Sequence, residues 1–170
     1  QGMSIRFSPN SKLVAQIHYP LGSSGMTDNT SIRLVFSDQA GREIYLIPVL
    51  NHITNISPPL FVPANTIRTF HQSQNVQIPV TLLSVTPHAH LICKSLKCWA
   101  LLPSGDTIHL VDIPNWDFHW QLTYDFKKPI YLPAGSILQS EGIYDNTANN
   151  PENPNNPPSN VSVGESTTDE

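Results

Sequence analysis

His88 and His90, which stand one residue apart, form the pattern in this sequence best suited to chemistry. In an extended chain, residues two apart project to the same side, with Cα atoms about 6.6 Å apart. Both imidazoles can then reach one metal ion. The spacing alone is weak evidence, because the chain has seven histidines. A metal site and a pair of surface histidines at the end of a strand both remain open.

The other histidines give no second pattern of this kind. His18, in "LVAQIHY", shares one face of a predicted strand with Val14 and Gln16, which is typical of a half-exposed strand histidine. His52 and His71 are interpreted as structural or surface residues, and His109 and His119 have no partner nearby in the sequence.

Three alternating aromatic residues, Trp116, Phe118 and Trp120, are typical of side chains that cap a core. No carboxylate pair has a spacing that suggests hydrolysis, and the sequence has no G-x-S-x-G motif, P-loop or glycine-rich dinucleotide turn. Known catalytic motifs therefore do not assign this chain to a hydrolase, nucleotide-binding or dehydrogenase class.

Charge and hydropathy exclude two further classes. Charged residues make up 13% of the 170 residues, and the net charge is -4. No basic cluster exists, so nucleic-acid binding has no electrostatic basis. No apolar run approaches the roughly 20 residues that a membrane-spanning helix needs.

The segments that would position these residues have the pattern of short strands. The 16 prolines argue against long helices. Strand-like stretches separated by Pro, Gly and Asn turns predict an all-β antiparallel sandwich or barrel. The predicted strands are 13–19, 31–37, 42–49, 66–72, 76–86, one that carries His88 and His90 and ends at "PSGD", 107–113, 121–126 and 136–144.

Two cysteines, Cys93 and Cys98, fall within the strand that carries His88 and His90. An offset of five places them on opposite faces of a regular strand, about 16 Å apart and beyond disulfide reach. We therefore expect two thiols unless a bulge or turn interrupts the strand.

From Asn146 onward the composition changes to "NTANNPENPNNPPSN". Such a segment is typical of a disordered linker, but Asn and Pro also suit rigid turns. Both interpretations stay open on composition alone.

Four stretches, in this order along the chain, resemble the copper type II, ascorbate-dependent monooxygenases, the family of peptidylglycine alpha-hydroxylating and dopamine beta-monooxygenases. "LVAQIHY" resembles the strand whose histidine, here His18, is the third ligand of one copper. "PHAHL" resembles the strand whose two histidines, here His88 and His90, bind the other. "YLPAGSILQSEGIYDNT" resembles the strand before the long loop that leads to the last ligand. "GESTTDE" resembles the segment that directly precedes the methionine ligand.

The resemblance implies a domain organisation, a fold and a chemistry. Residues 1–45 correspond to the end of the first monooxygenase domain, and 46–170 to most of the second, an antiparallel jelly-roll-like β-sandwich. One copper stores an electron, the other binds oxygen and hydroxylates a C–H bond of a small-molecule or peptide substrate, and ascorbate reduces both. The bacterial members it resembles imply an extracytoplasmic location and cytochrome c or thioredoxin-like modules in the same parent chain.

The chain departs from the family in several places. The adjacent histidine pair of the first copper site and the methionine of the second are not in these 170 residues. Thr86 stands where peptide-hydroxylating members carry a basic residue that binds the substrate carboxylate, and the second-domain disulfides have no evident counterpart.

Two consequences and two alternatives follow. We expect the loop 146–160 to be ordered, because in the family it must return a ligand to His88 and His90. We expect the isolated chain not to hydroxylate any substrate, because both copper sites lack ligands. The alternatives to a monooxygenase fragment are a non-catalytic β-sandwich module and a copper-binding or electron-transfer module.

Overall fold

The computed structural model describes residues 2–15, 17, 19, 22–39, 41–49, 56–164, 166, 168 and 169. Within these residues the chain forms eleven strands and no helix. It divides into two compact units, Gln1–Ile47 and Pro48–Glu170. The division lies two residues from the boundary that the family resemblance implies.

The first unit has little regular structure. Its strands β1 (Met3–Ser4) and β2 (Arg42–Glu43) form a short parallel pair. The strands predicted at 13–19 and 31–37 do not form in the described residues, and only the start of 42–49 is a strand. Their alternating pattern requires a second layer to cover one face, yet Val14 remains 83% and Leu46 90% exposed. Those strand predictions are wrong for this reason.

The second unit contains nine strands. They are β3 (Ile56–Ser57), β4 (Phe61–Val62), β5 (Ile67–Asn75), β6 (Val80–Val85), β7 (Cys93–Leu101), β8 (Thr107–Ile113), β9 (Tyr124–Leu132), β10 (Ile137–Asp145) and β11 (Val161–Ser162). The predicted strands 66–72, 76–86 and 136–144 form with shifted ends, and 107–113 forms as predicted. Of the predicted strand 121–126, only the last three residues belong to β9. The turn "PSGD" joins β7 to β8 as predicted.

These nine strands pair antiparallel. One sheet has the order β3-β5-β10-β7-β8, while β6 pairs with β9 and β4 with β11. The arrangement confirms the predicted all-β fold class with antiparallel sheets, and it is compatible with a sandwich.

The buried side chains form two clusters. One gathers apolar residues around Phe70, Ile92 and Leu96, and the other surrounds Leu132 and Leu138. The first cluster also contains Ala89, the residue between the two histidines of interest. The core therefore anchors the backbone of the His-x-His segment.

A β-bulge at the start of β7 changes the faces of its cysteines. Tyr144 of β10 lies opposite Cys93, whereas the preceding Ile143 lies opposite Ser95, so β7 has one extra residue there. Cys93 and Cys98 are consequently both buried, and the expectation of opposite faces is wrong. Neither cysteine forms a disulfide bond.

Candidate metal centre

The two histidines lie in the connection 86–92 between β6 and β7, not within a strand as predicted. Pro87 has no N–H to give to a ladder, which favours an irregular extended path. Pro87 and Ala89 are nevertheless buried, while His88 is exposed and His90 half-buried. This alternation leaves both imidazoles on the outer side of the segment.

The imidazole rings of His88 and His90 lie side by side. Their centroids are 5.3 Å apart and their planes meet at 84°. With a metal ion about 2.0 Å beyond each coordinating nitrogen, two imidazoles at ordinary ligand angles have centroids roughly 4.5–5.5 Å apart. The centroid separation of His88 and His90 lies within this range, so the spacing of the two rings is compatible with a shared metal ion.

The ring of His90 is held by a contact with the backbone of Asp169. Its Nδ1 lies 2.9 Å from the backbone carbonyl oxygen of Asp169. A carbonyl only accepts hydrogen bonds, so Nδ1 donates, and in the neutral ring the lone pair is then on Nε2. A ring N–H that donates to a carbonyl is the arrangement by which proteins orient metal-binding histidines.

Trp116 holds the backbone of the same residue. Its indole Nε1 donates to the carbonyl oxygen of His90 at 3.2 Å, and its backbone N donates to that of Lys94, at the bulge, at 2.8 Å. The ring of Phe118 lies edge-on to that of His90, with centroids 6.3 Å apart.

The sequence predicted only part of the role of the aromatic residues Trp116, Phe118 and Trp120. Trp116 packs on the first core cluster, as the alternation predicts, but its contact with His90 was not foreseen. Trp120 is 63% exposed, so its assignment as a core cap is wrong. Trp116 follows closely after the end of β8 in the sequence, and β8 pairs with β7, the strand that follows His90. This position is a more informative signal for a contact between Trp116 and His90.

The Asn/Pro segment 146–160 carries the chain back toward the histidines. Asn146 is fully buried, and its side-chain amide donates to the carbonyl oxygens of Val62 and Ser159 at 2.9 and 2.7 Å. Its Oδ1 accepts from Asn153 at 3.0 Å. The structure therefore agrees with the expectation of an ordered loop, which β11 and the final residues follow.

The other described histidines, His71, His109 and His119, have different surroundings. His71 lies 3.4 Å from Glu141 on β10, which also contacts Lys97, while His109 and His119 are exposed. His18 and His52 lie outside the described residues. Among the residues that are described, no group of three or more His, Cys, Asp or Glu could hold a metal ion. The pair is therefore a two-ligand arrangement in this part of the chain.

Comparisons with protein-family models and with curated proteins gave no match for this chain. In the described part of the chain, no helix is long and apolar enough to cross a bilayer.

Proposed function

We propose that this chain is part of a copper- and ascorbate-dependent monooxygenase-like protein in which His88 and His90 bind one copper ion. The observation that carries the proposal is the contact between His90 and Asp169, residues 79 apart in sequence. The last described residue therefore lies beside one of the two histidines, where the resemblance places the segment that precedes the third ligand.

The reach of the chain agrees with this assignment. In the family that the sequence resembles, a methionine follows the position of Glu170. Two residues of extended chain span at most about 7 Å, so a residue at that position can lie near His90. A thioether favours Cu(I) and imidazole accepts both oxidation states, so the set of two histidines and one methionine suits a copper ion that is reduced and reoxidised.

Copper in such a site supplies the electron transfer and oxygen chemistry needed to hydroxylate a C–H bond, with ascorbate as the reductant. The residues of this chain have simpler tasks. His88 and His90 present imidazole nitrogens, Asp169 orients one of them, and the ring of Phe118 contacts that of His90. In the intact parent, His18 is the proposed ligand of a second copper.

Thr86 limits the kind of substrate that we propose. Its hydroxyl is 3.0 Å from that of Thr123, so a neutral pair stands where peptide-hydroxylating relatives have a basic side chain. A neutral hydroxyl pair lacks the charge-assisted contact that a cation makes with a carboxylate. We therefore propose a substrate that is not held there by its carboxylate, in an extracytoplasmic protein with a jelly-roll-like domain.

A copper-binding or electron-transfer module without hydroxylation is the second candidate. The two-ligand arrangement in the described residues favours it, because oxygen activation in the family depends on a complete pair of copper sites. The two candidates share the copper ligands and differ in whether the parent turns over substrate.

The first test is copper binding by the purified chain, measured by titration with Cu(I) and Cu(II) and by electron paramagnetic resonance of the Cu(II) form. We expect nitrogen coupling from two imidazoles. His88→Ala and His90→Ala should each weaken binding by more than about tenfold, because a single imidazole holds copper poorly.

His109→Ala is the matched control, since His109 is an exposed histidine on β8. Its affinity for copper should equal that of the wild type. Equal affinity in a His88→Ala, His90→Ala double variant would place the copper elsewhere and contradict the proposal.

A further inference from the structure

We propose that Gly164 and Asp169 are positioning residues that hold His90 in the tautomer with the proton on Nδ1 and the lone pair on Nε2. This inference rests on the proposed function, because it concerns which nitrogen of His90 meets the metal. The residues involved form the C-terminal turn, of which 164, 166, 168 and 169 are described.

Asp169 closes the C-terminal turn through two hydrogen bonds with Ser166, one as donor and one as acceptor. The backbone N of Asp169 donates to the carbonyl oxygen of Ser166 at 2.9 Å, and the Asp169 carboxylate accepts from the backbone N of Ser166 at 3.3 Å. The turn thereby sets the orientation of the peptide group whose oxygen contacts His90. The Asp169 side chain therefore acts on His90 indirectly, through its own backbone carbonyl.

Gly164 allows the turn to close. A Cβ atom built on Gly164 would clash with Oδ2 of Asp169 and would lie 2.6 Å from the Cβ of that residue. The contact with Cβ cannot be relieved by rotating the end of the carboxylate side chain. Any larger residue at position 164 therefore displaces Asp169, and with it the carbonyl that accepts from Nδ1.

Described hydrogen bonds hold His90 both at its backbone and at its ring. The Trp116 indole donates to the His90 carbonyl, and the Asp169 carbonyl accepts from its ring, so a ring flip would break the second bond. His88 is exposed, and water competes for its ring nitrogens. We therefore expect a protein-determined tautomer at His90 and a solvent-determined one at His88.

The tautomer of His90 can be measured on the metal-free chain and does not require an activity assay. A neutral histidine side chain in water favours the proton on Nε2, so an Nδ1–H form reports a specific acceptor. Long-range ¹H–¹⁵N spectra of the copper-free chain at about pH 8.5, two pH units above the ordinary histidine pKa, distinguish the two forms. We expect Nδ1–H at His90 and mainly Nε2–H at His88.

Four substitutions distinguish an effect on the orientation of His90 from an effect on the stability of the fold. Gly164→Ala and Asp169→Ala should move His90 toward the Nε2–H form, while Ser162→Ala, an exposed change in β11, should not. Asp169→Asn should retain the wild-type tautomer, because its amide oxygen still accepts from Ser166. If Gly164→Ala fails to fold, the tautomer of His90 in the wild type and in Asp169→Ala still tests the inference.

Copper titration of the same variants connects the tautomer to the metal. We expect Gly164→Ala and Asp169→Ala to weaken binding about tenfold or more, and Asp169→Asn to restore it, as with other groups that orient metal ligands. An Nε2–H form at His90 in the wild type, or copper affinity unchanged in both turn variants, overturns the inference. Copper binding that does not depend on His88 and His90 in the wild type would instead overturn the proposed function.

Discussion

Cys98 lies on the buried face of β7, opposite Ser140 of the neighbouring strand. Burial raises the pKa of its thiol to about 11 from an ordinary value of 9.0, since the apolar surroundings disfavour the thiolate. Because the thiolate is the nucleophile and metal-binding form, Cys98 should be inert near neutral pH.

The raised pKa makes stability depend on pH. The folded state retains the Cys98 proton where the unfolded chain loses it, so this contribution is complete below pH 9.0 and is lost as pH rises toward 11. The difference in free energy of unfolding between wild type and Cys98→Ala should therefore fall in that interval, by at most about 1.4 kcal/mol per pH unit. Urea unfolding at several pH values measures it, and a pH-independent difference would contradict it.

Trp116 gives a second prediction about a single residue. Trp116→Phe retains an aromatic ring against the core but removes the donor to the His90 carbonyl. We expect a loss of about 1 kcal/mol in the free energy of unfolding, the usual contribution of one hydrogen bond. The ring resonances of His90 should also shift.

Trp120→Phe is the control for this change, because Trp120 is largely exposed. Urea unfolding and histidine spectra of both variants give the comparison. Equal effects of the two substitutions would show that the indole of Trp116 does not hold His90.

The sequence was informative about the two histidines and not about the residues that support them. His88 and His90 stand out because a local spacing of two has a direct geometric meaning. Trp116 and Asp169 contact His90 from 26 and 79 residues away. No local periodicity encodes such contacts, since they depend on the pairing of distant segments, such as β10 with β7 and β11 with β4.

At the scale of elements, strands were predictable where a core covers them. Strand-like alternation predicted β5 through β8 and β10, where Phe70, Leu96 and Leu138 face buried clusters, and only the first three residues of β9. The same alternation failed near Val14 and Val35, whose side chains stay exposed. The β-bulge in β7 could not be predicted from the sequence either, because it depends on the register of β7 with β10.

The Asn/Pro loop offers a prediction at this scale. Asn146→Ala removes the donor to two carbonyl oxygens, those of Val62 and Ser159, and leaves them unsatisfied. Each such group costs about 1–3 kcal/mol, so we expect a destabilisation of about 2–6 kcal/mol by thermal or urea unfolding. Amide exchange should also become faster across 146–160.

Asn149→Ala provides the comparison, because Asn149 is exposed in the same loop. Its stability should stay within about 0.5 kcal/mol of the wild type. Equal stability of the two variants would show that the loop does not depend on the buried amide.

For the whole molecule, the two units differ in what they bury. Both core clusters are built from residues of the second unit, and no described residue of the first unit is buried. We therefore expect a chain of residues 48–170 to unfold cooperatively, and residues 1–47 alone to show no cooperative transition. Circular dichroism with thermal melting measures both, and a non-cooperative melt of 48–170 would contradict the assignment of the core.

The position of β10 in its sheet has a consequence for how the chain acquires its structure. β10 lies between β5 and β7, although it follows both in sequence. Each of these two strands therefore lacks one hydrogen-bonded neighbour until the chain is available through residue 145. Pairings of such long sequence separation close slowly, and we expect refolding in the millisecond-to-second range. During synthesis, β5 and β7 would leave the ribosome as unpaired edges, and ribosome-bound chains that end before β10 should remain protease-sensitive until that strand emerges.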